Sequence, residues 1–161
     1  MRYAKLVGLI MVIMCLLLGC SSDVNQDWED VIIYGSGSIS MPSDWRCFEE
    51  QGYTYIVDNN NIPMMIQSYS FAGIEDGSEG EAESNKYAEN FQSIKVLTST
   101  GLSNGATYGK MLVSCNGNNY ERFYIDITVE VPMQFIVWSD SIDEKMVKNI
   151  AKSYVAEGYE D

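Results

Sequence analysis

Histidine is absent from all 161 residues, so the side chains able to do chemistry reduce to a few thiols, scattered serines and a surplus of carboxylates. Without an imidazole there is no Ser-His-Asp or Cys-His relay and no His-ligated zinc, copper or iron site. No lysine has a serine three residues before it, which removes a Ser-x-x-Lys pair, and no two cysteines have the Cys-x-x-Cys spacing of redox work. Cys47 and Cys115 are thiols with no histidine base to activate them. A carboxylate-dependent hydrolase needs one protonated and one ionised carboxyl group facing the same bond. The adjacent pair Glu49/Glu50 points to opposite faces if it lies on a strand, and Glu75/Asp76 reads as solvated loop. The run from Glu75 to Glu83 offers oxygen ligands but lacks EF-hand spacing, so it reads as an acidic loop rather than a calcium site. Gly35-Ser36-Gly37 has no third glycine and precedes a proline turn instead of a helix, so it reads as a bulge rather than a phosphate loop. No catalytic residue, cofactor or metal site is expected.

One constellation remains. From Arg122 to Glu130 apolar and polar residues alternate, with Phe123, Ile125, Ile127 and Val129 on one side of a strand. Tyr120, Arg122, Tyr124 and Asp126 then share the other side, joined on the sheet by Tyr108 and Tyr53. Tyrosines around one arginine are the composition of an interaction surface; the alternative is that a helix covers this face.

The elements that would position these residues follow from periodicity and turn signals. Val31 to Met41 reads as a first strand interrupted at Gly35-Ser36-Gly37 and ended by Pro42-Ser43-Asp44-Trp45, with Trp45 an anchor at that turn. Cys47 to Val57 reads as a second strand bent at Gly52, and Ile62 to Phe71 as a third after the turn Asp58-Asn59-Asn60-Asn61. Tyr87, Ala88, Phe91, Ile94 and Leu97 recur at three and four, which predicts a helix from about Glu81 to Thr98. Thr107 to Cys115 and Tyr120 to Val131 form a hairpin around Asn116-Gly117-Asn118-Asn119, and Gln134 to Trp138 a buried strand. A last helix is expected to open at Ser141 with Glu144 as its capping partner and to bury Val147, Ile150, Ala151 and Tyr154. The expected class is α+β, about six mostly antiparallel strands and two main helices in the order βββαβββα.

The N-terminus is of another kind. Arg2 and Lys5 precede an apolar run from Leu6 to Leu18, and Leu17-Leu18-Gly19-Cys20 closes it before Ser21, Ser22 and Asp23. A run of this length suits a signal peptide, whereas a spanning helix needs roughly 20 apolar residues. These residues resemble the lipobox of bacterial lipoproteins. The resemblance implies a signal peptide over residues 1–19, diacylation of the Cys20 thiol, cleavage before it, and a location on the extracytoplasmic face of a membrane. Two acyl chains give stable anchoring where one gives only reversible binding. Residues 20–30 then form the lipidated cysteine and a flexible tether, and residues 31–161 a single domain. Losing Arg2 and Lys5 would leave eight basic residues against 23 acidic ones, a formal charge of −15. Nucleic acid and anionic headgroups attract basic clusters, so neither is an expected partner. Outside the cytoplasm a disulfide between Cys47 and Cys115 is permitted and would be worth about 4 kcal/mol in the chain-entropy model, the alternative being two buried thiols.

The element order, with Pro42-Ser43-Asp44-Trp45 after the first strand, a Tyr/Ile-rich hairpin and an amphipathic last helix, resembles the PsbP-like superfamily, which includes the periplasmic DcrB proteins. The resemblance spans residues 31 to 158 and implies an α/β/α sandwich and a non-enzymatic accessory or assembly role. The expectation is therefore an envelope lipoprotein that binds a protein partner. A small-ligand or ion-binding lipoprotein would instead show a deep pocket lined by Tyr and Arg, and a hydrolase two carboxyl groups facing across a cleft.

Overall fold

A computed structural model describes residues 27–33, 37–50, 52–69, 77, 79–81, 91–127 and 133–156. The expected signal peptide and lipobox, and residues 20–26 of the expected tether, lie outside these residues. Among them no helix is long and apolar enough to cross a membrane.

The described residues form ten strands and one helix: β1 (Trp28–Ile33), β2 (Gly37–Pro42), β3 (Arg46–Glu50), β4 (Tyr53–Val57), β5 (Pro63–Tyr69), β6 (Glu79–Glu81), β7 (Phe91–Gly101), β8 (Ala106–Cys115), β9 (Asn118–Ile127), β10 (Met133–Val137) and α1 (Glu144–Ser153). The α/β/α sandwich is overturned: the chain is mostly β. Eight strands form one antiparallel sheet in the order β3-β4-β5-β10-β9-β8-β7-β6, its last strand only three residues long, and β1 and β2 form a separate antiparallel pair. The order βββαβββα expected from periodicity, on which the superfamily resemblance rested, is not the order found.

The largest correction is the helix expected over 81–98. Glu81 ends β6, residues 82–90 lie outside the described residues, and Phe91–Gly101 is the longest strand. Its pairing passes from Phe91↔Cys115 to Ser93↔Ser114, leaving Gln92 as an extra residue, and from Val96↔Met111 to Thr98↔Lys110, leaving Leu97 extra. A bulge shifts the parity of a strand by one. Phe91 and Ile94, three apart, therefore enter the same core, and the spacing imitates a helix. The β-branched Ile94, Val96, Thr98 and Thr100 favour the strand.

Two expected single strands are hairpins. β1 and β2 pair antiparallel from Trp28↔Pro42 to Ile33↔Gly37 instead of forming one bulged strand; Gly35 and Ser36 lie outside the described residues, and Gly37 has φ +115. β3 and β4 likewise pair from Arg46↔Val57 to Glu50↔Tyr53, with Gly52 at φ +82. The hairpin expected over 107–131 is found as β8 and β9 as far as Ile127, residues 128–131 lying outside the described residues, and the strand expected at 134–138 is found as β10. Asn116 and Gly117, both at positive φ, make a two-residue turn of the kind that matches strand twist.

The sheet carries a hydrophobic cluster on each face. On the first, Ile33, Ile39 and Met41 of the small hairpin and Val147, Ile150 and Ala151 of α1 pack against Met65, Ile125, Ile127 and Phe135. On the second lie Tyr55, Ile66, Phe91, Ile94, Met111, Val113, Tyr124 and Ile136. The helix starts two residues later than expected: Asp143 is the N-cap, its carboxylate accepting from the Met146 N–H at 2.8 Å. Ser141 instead pairs its hydroxyl with that of Ser139. The other end is clamped by Asn104, whose amide donates to the carbonyls of Ala151, Lys152 and Tyr154 at 2.9, 3.2 and 3.0 Å. This satisfies acceptors that a helix C-terminus leaves open and ties α1 to the β7–β8 turn.

Candidate functional site

Asn118 to Ile127 alternates along β9 as its side chains require. Phe123, Ile125 and Ile127 enter the first cluster, while Tyr120 and Tyr124 join the second. Arg122 is held on the same side as Tyr120. Its guanidinium carbon lies 5.2 Å from the Tyr120 ring centre and 5.3 Å from that of Trp138, the first residue after β10. The Trp138 ring also meets Tyr120 at 5.8 Å and Phe91 at 5.7 Å, both tilted. One edge of the guanidinium is pinned in the plane: Nη1 donates to Asp140 Oδ1 at 2.8 Å and to the Glu121 carbonyl at 3.1 Å. The Arg122 side chain keeps 15% of its surface exposed and that of Asp140 86%, so the arginine lies against both rings with its carboxylate partner in solvent. Its Nε is buried without a partner.

The remaining members of the expected surface lie elsewhere. Tyr124 is buried in the second core, Tyr53 packs against that core on β4, and Tyr108 belongs to the opposite face. Asp126 is two residues beyond Tyr124, opposite Gln134 on β10 and Thr107 on β8. Gln134 and Ser68 are both buried, and the Ser68 hydroxyl donates to the Gln134 side-chain oxygen at 3.3 Å. Asp126 Oδ1 is buried with no hydrogen-bond partner, and burial pushes its carboxyl from 3.8 up to about 6. Trp138 and Asp140 were not singled out from the sequence. The signal was there in the abrupt change from an apolar run to Trp138-Ser139-Asp140, which puts the indole at an edge.

The permitted disulfide is not formed. Cys47 packs on the first face from β3 and Cys115 lies in the second cluster at the end of β8, five strand positions away. At about 4.8 Å per strand that is roughly 24 Å, far beyond the 7 Å that α-carbons can span. Burial, with the Glu49 carboxylate adding to it, pushes the Cys47 thiol from 9.0 up to about 11. Alkylation of Cys47 at pH 8, followed by mass spectrometry, is therefore expected to run at least about tenfold slower than that of a small free thiol. A matching rate would contradict this environment.

Glu49 is exposed on β3 and its neighbour Glu50 points to the other face, while Glu75 and Asp76 lie outside the described residues. Among the described residues no three His, Cys, Asp or Glu side chains gather into a metal-holding group. No family model, curated protein or solved structure matches the chain. Among the described residues two depressions adjoin the sheet, of about 280 and 100 Å³. Arg122 borders only the smaller, and neither is lined by tyrosine and arginine together.

Proposed function

We propose that this protein is a lipoprotein of the cell envelope, anchored through Cys20, whose domain is a non-catalytic module that binds a protein partner. The observation that carries the reading is Arg122 packed against both Tyr120 and Trp138 and tied to the exposed Asp140. Trp, Tyr and Arg are the residues that dominate binding energy at protein interfaces, and a guanidinium already immobilised loses little entropy on docking. The lipobox at Leu17-Leu18-Gly19-Cys20 supports the address.

Two measurements test the two halves. Mass spectrometry of the mature N-terminus is expected to find a diacylglyceryl thioether on Cys20 and no residue before it; residues 1–19 still attached to a bare thiol would overturn the anchor. A photo-crosslinking residue at position 120, in the acylated chain in its own membranes, is expected to capture one discrete envelope protein. Arg122→Ala should abolish that adduct while leaving the thermal midpoint within a few degrees. Capture of lipid alone, or an adduct indifferent to Arg122→Ala, would overturn the partner.

A further inference from the structure

The two most exposed large hydrophobic residues among the described ones are Ile32, 77% exposed, and Val155, 62%. They are far apart in sequence and stand in one row of the structure. Ile32 pairs with Ser38 across the β1–β2 hairpin, and Ser38 pairs in turn with Val155 just beyond α1, the two exchanging backbone hydrogen bonds of 2.9 Å. Residues opposite one another in register present their side chains on the same side. Gly37, Ile39 and Met41 of β2 are buried, so the side shared by Ile32, Ser38 and Val155 is the outer one, facing away from the sheet. α1 packs on the same face of the sheet as the hairpin. Its Lys145, Lys148 and Lys152, spaced three and four, form one exposed stripe, while Val147, Ile150 and Ala151 are buried. None of these lysines forms an ion pair among the described residues. Of the carboxylates on β1 and at α1, Asp30 accepts the Ser40 hydroxyl at 2.6 Å and Asp143 caps the helix. Glu29 and Glu144 are at the ends of their elements remote from Ile32 and Val155.

We propose that this outer side is the face on which the domain rests against the bilayer, with Ile32 and Val155 at the apolar boundary and the α1 lysines at headgroup phosphates. The proposal rests on the lipid anchor at Cys20. Residues 21–26 separate that cysteine from the first described residue, Asp27, and at about 3.5 Å per residue the chain between them reaches at most about 25 Å. From Trp28 to Ile32 the strand covers about 13 Å. The tether is thus short enough to keep β1 beside the membrane and long enough for the hairpin to lie along it. An anchored chain meets its own bilayer at a high effective concentration, an advantage that no diffusing protein has. Apolar side chains flanked by lysines have the composition of a surface that sits in the membrane interface, and a basic patch reinforces acyl chains. Tyr120 and Trp138 pack on the opposite face of the sheet, so this orientation turns the Arg122 surface away from the lipid.

The test places a photo-crosslinking residue at position 32 of the acylated chain, first in vesicles of phosphatidylcholine and phosphatidylglycerol and then in its own membranes. In vesicles, position 32 is expected to capture at least about tenfold more lipid than position 120. Val155→Asp, an exposed change, should lower the lipid adduct at position 32 severalfold without altering the circular dichroism, and so should Lys145→Gln, Lys148→Gln and Lys152→Gln together. A chain that does not float with the vesicles would overturn the anchor and this orientation with it. A chain that floats but captures lipid equally at both positions, or that is indifferent to either set of substitutions, would overturn the orientation and leave the anchor standing. In native membranes, a discrete protein adduct at position 32 in place of lipid would overturn it in favour of a protein partner, and a chain-to-chain adduct in favour of a second copy.

Discussion

Gly109→Ala is expected to destabilise the domain by about 3 kcal/mol or more, the scale of severe overpacking, and so to lower the urea midpoint by about 1 M or more. A β-carbon at this position would lie 1.9 Å from the Thr98 carbonyl oxygen, 2.7 Å from its carbonyl carbon and 3.0 Å from the Tyr124 ring. Two of the three obstacles are backbone, so no rotamer relieves them. The cause is the second bulge: the extra residue Leu97 drives the following turn of β7 over β8, and the Thr98 hydroxyl accepts the Lys110 N–H at 3.0 Å. Gly117→Ala makes the control. Gly117 has φ +77 and open space around it, so alanine there costs only the left-handed backbone penalty of about 1 kcal/mol. Equal losses for the two variants would mean that β7 does not approach β8 so closely.

The same bulges explain why the chain was only partly legible. Where a strand runs without interruption, period two is visible: Phe123, Ile125 and Ile127 against Arg122, Tyr124 and Asp126 in β9 sort to opposite faces as their spacing demands. Asn116-Gly117 likewise announces its turn, because few residues tolerate two successive positive φ values. In β7 each extra residue inserts a phase shift, and 91, 94 and 97 then match a helical stripe. Local spacing cannot separate the two readings. β-branched content over Ile94 to Thr100 was the available discriminator. The hairpins at Gly37 and Gly52 were missed for a different reason: a glycine that bends one strand and a glycine that joins two look alike until the cross-strand partner is known.

For the candidate surface, sequence placed Tyr120 and Arg122 on one face but could not say which aromatic closes over the guanidinium. That residue, Trp138, directly follows β10 and meets Arg122 because β10 lies beside β9. Burial divides the rest. Tyr124 and Asp126 share parity with Arg122, yet Tyr124 belongs to the core and Asp126 lies beside the buried Gln134. Parity assigns a face; the neighbouring strands decide whether that face is open.

Asp126→Asn is expected to stabilise the domain by about 2 to 3 kcal/mol at pH 8 and to have little effect at pH 4, the energy scale of moving a carboxyl from 3.8 to about 6. The sign follows from proton binding. The folded carboxyl holds its proton more tightly than the unfolded one, so folding is favoured while both are protonated and loses ground as pH rises through the interval between the two values. Above about 6 the folded protein carries a buried charge that no hydrogen bond relieves at Oδ1. Asparagine keeps the shape and removes the charge. Urea titrations of both proteins from pH 4 to 8 should give curves that converge at the acid end and separate between 4 and 6. Parallel curves would mean that Asp126 is solvated or paired. A carboxylate buried at this place on a core strand therefore lowers the stability of the fold at neutral pH, and its removal should leave the Arg122 cluster two positions beyond Tyr124 in place.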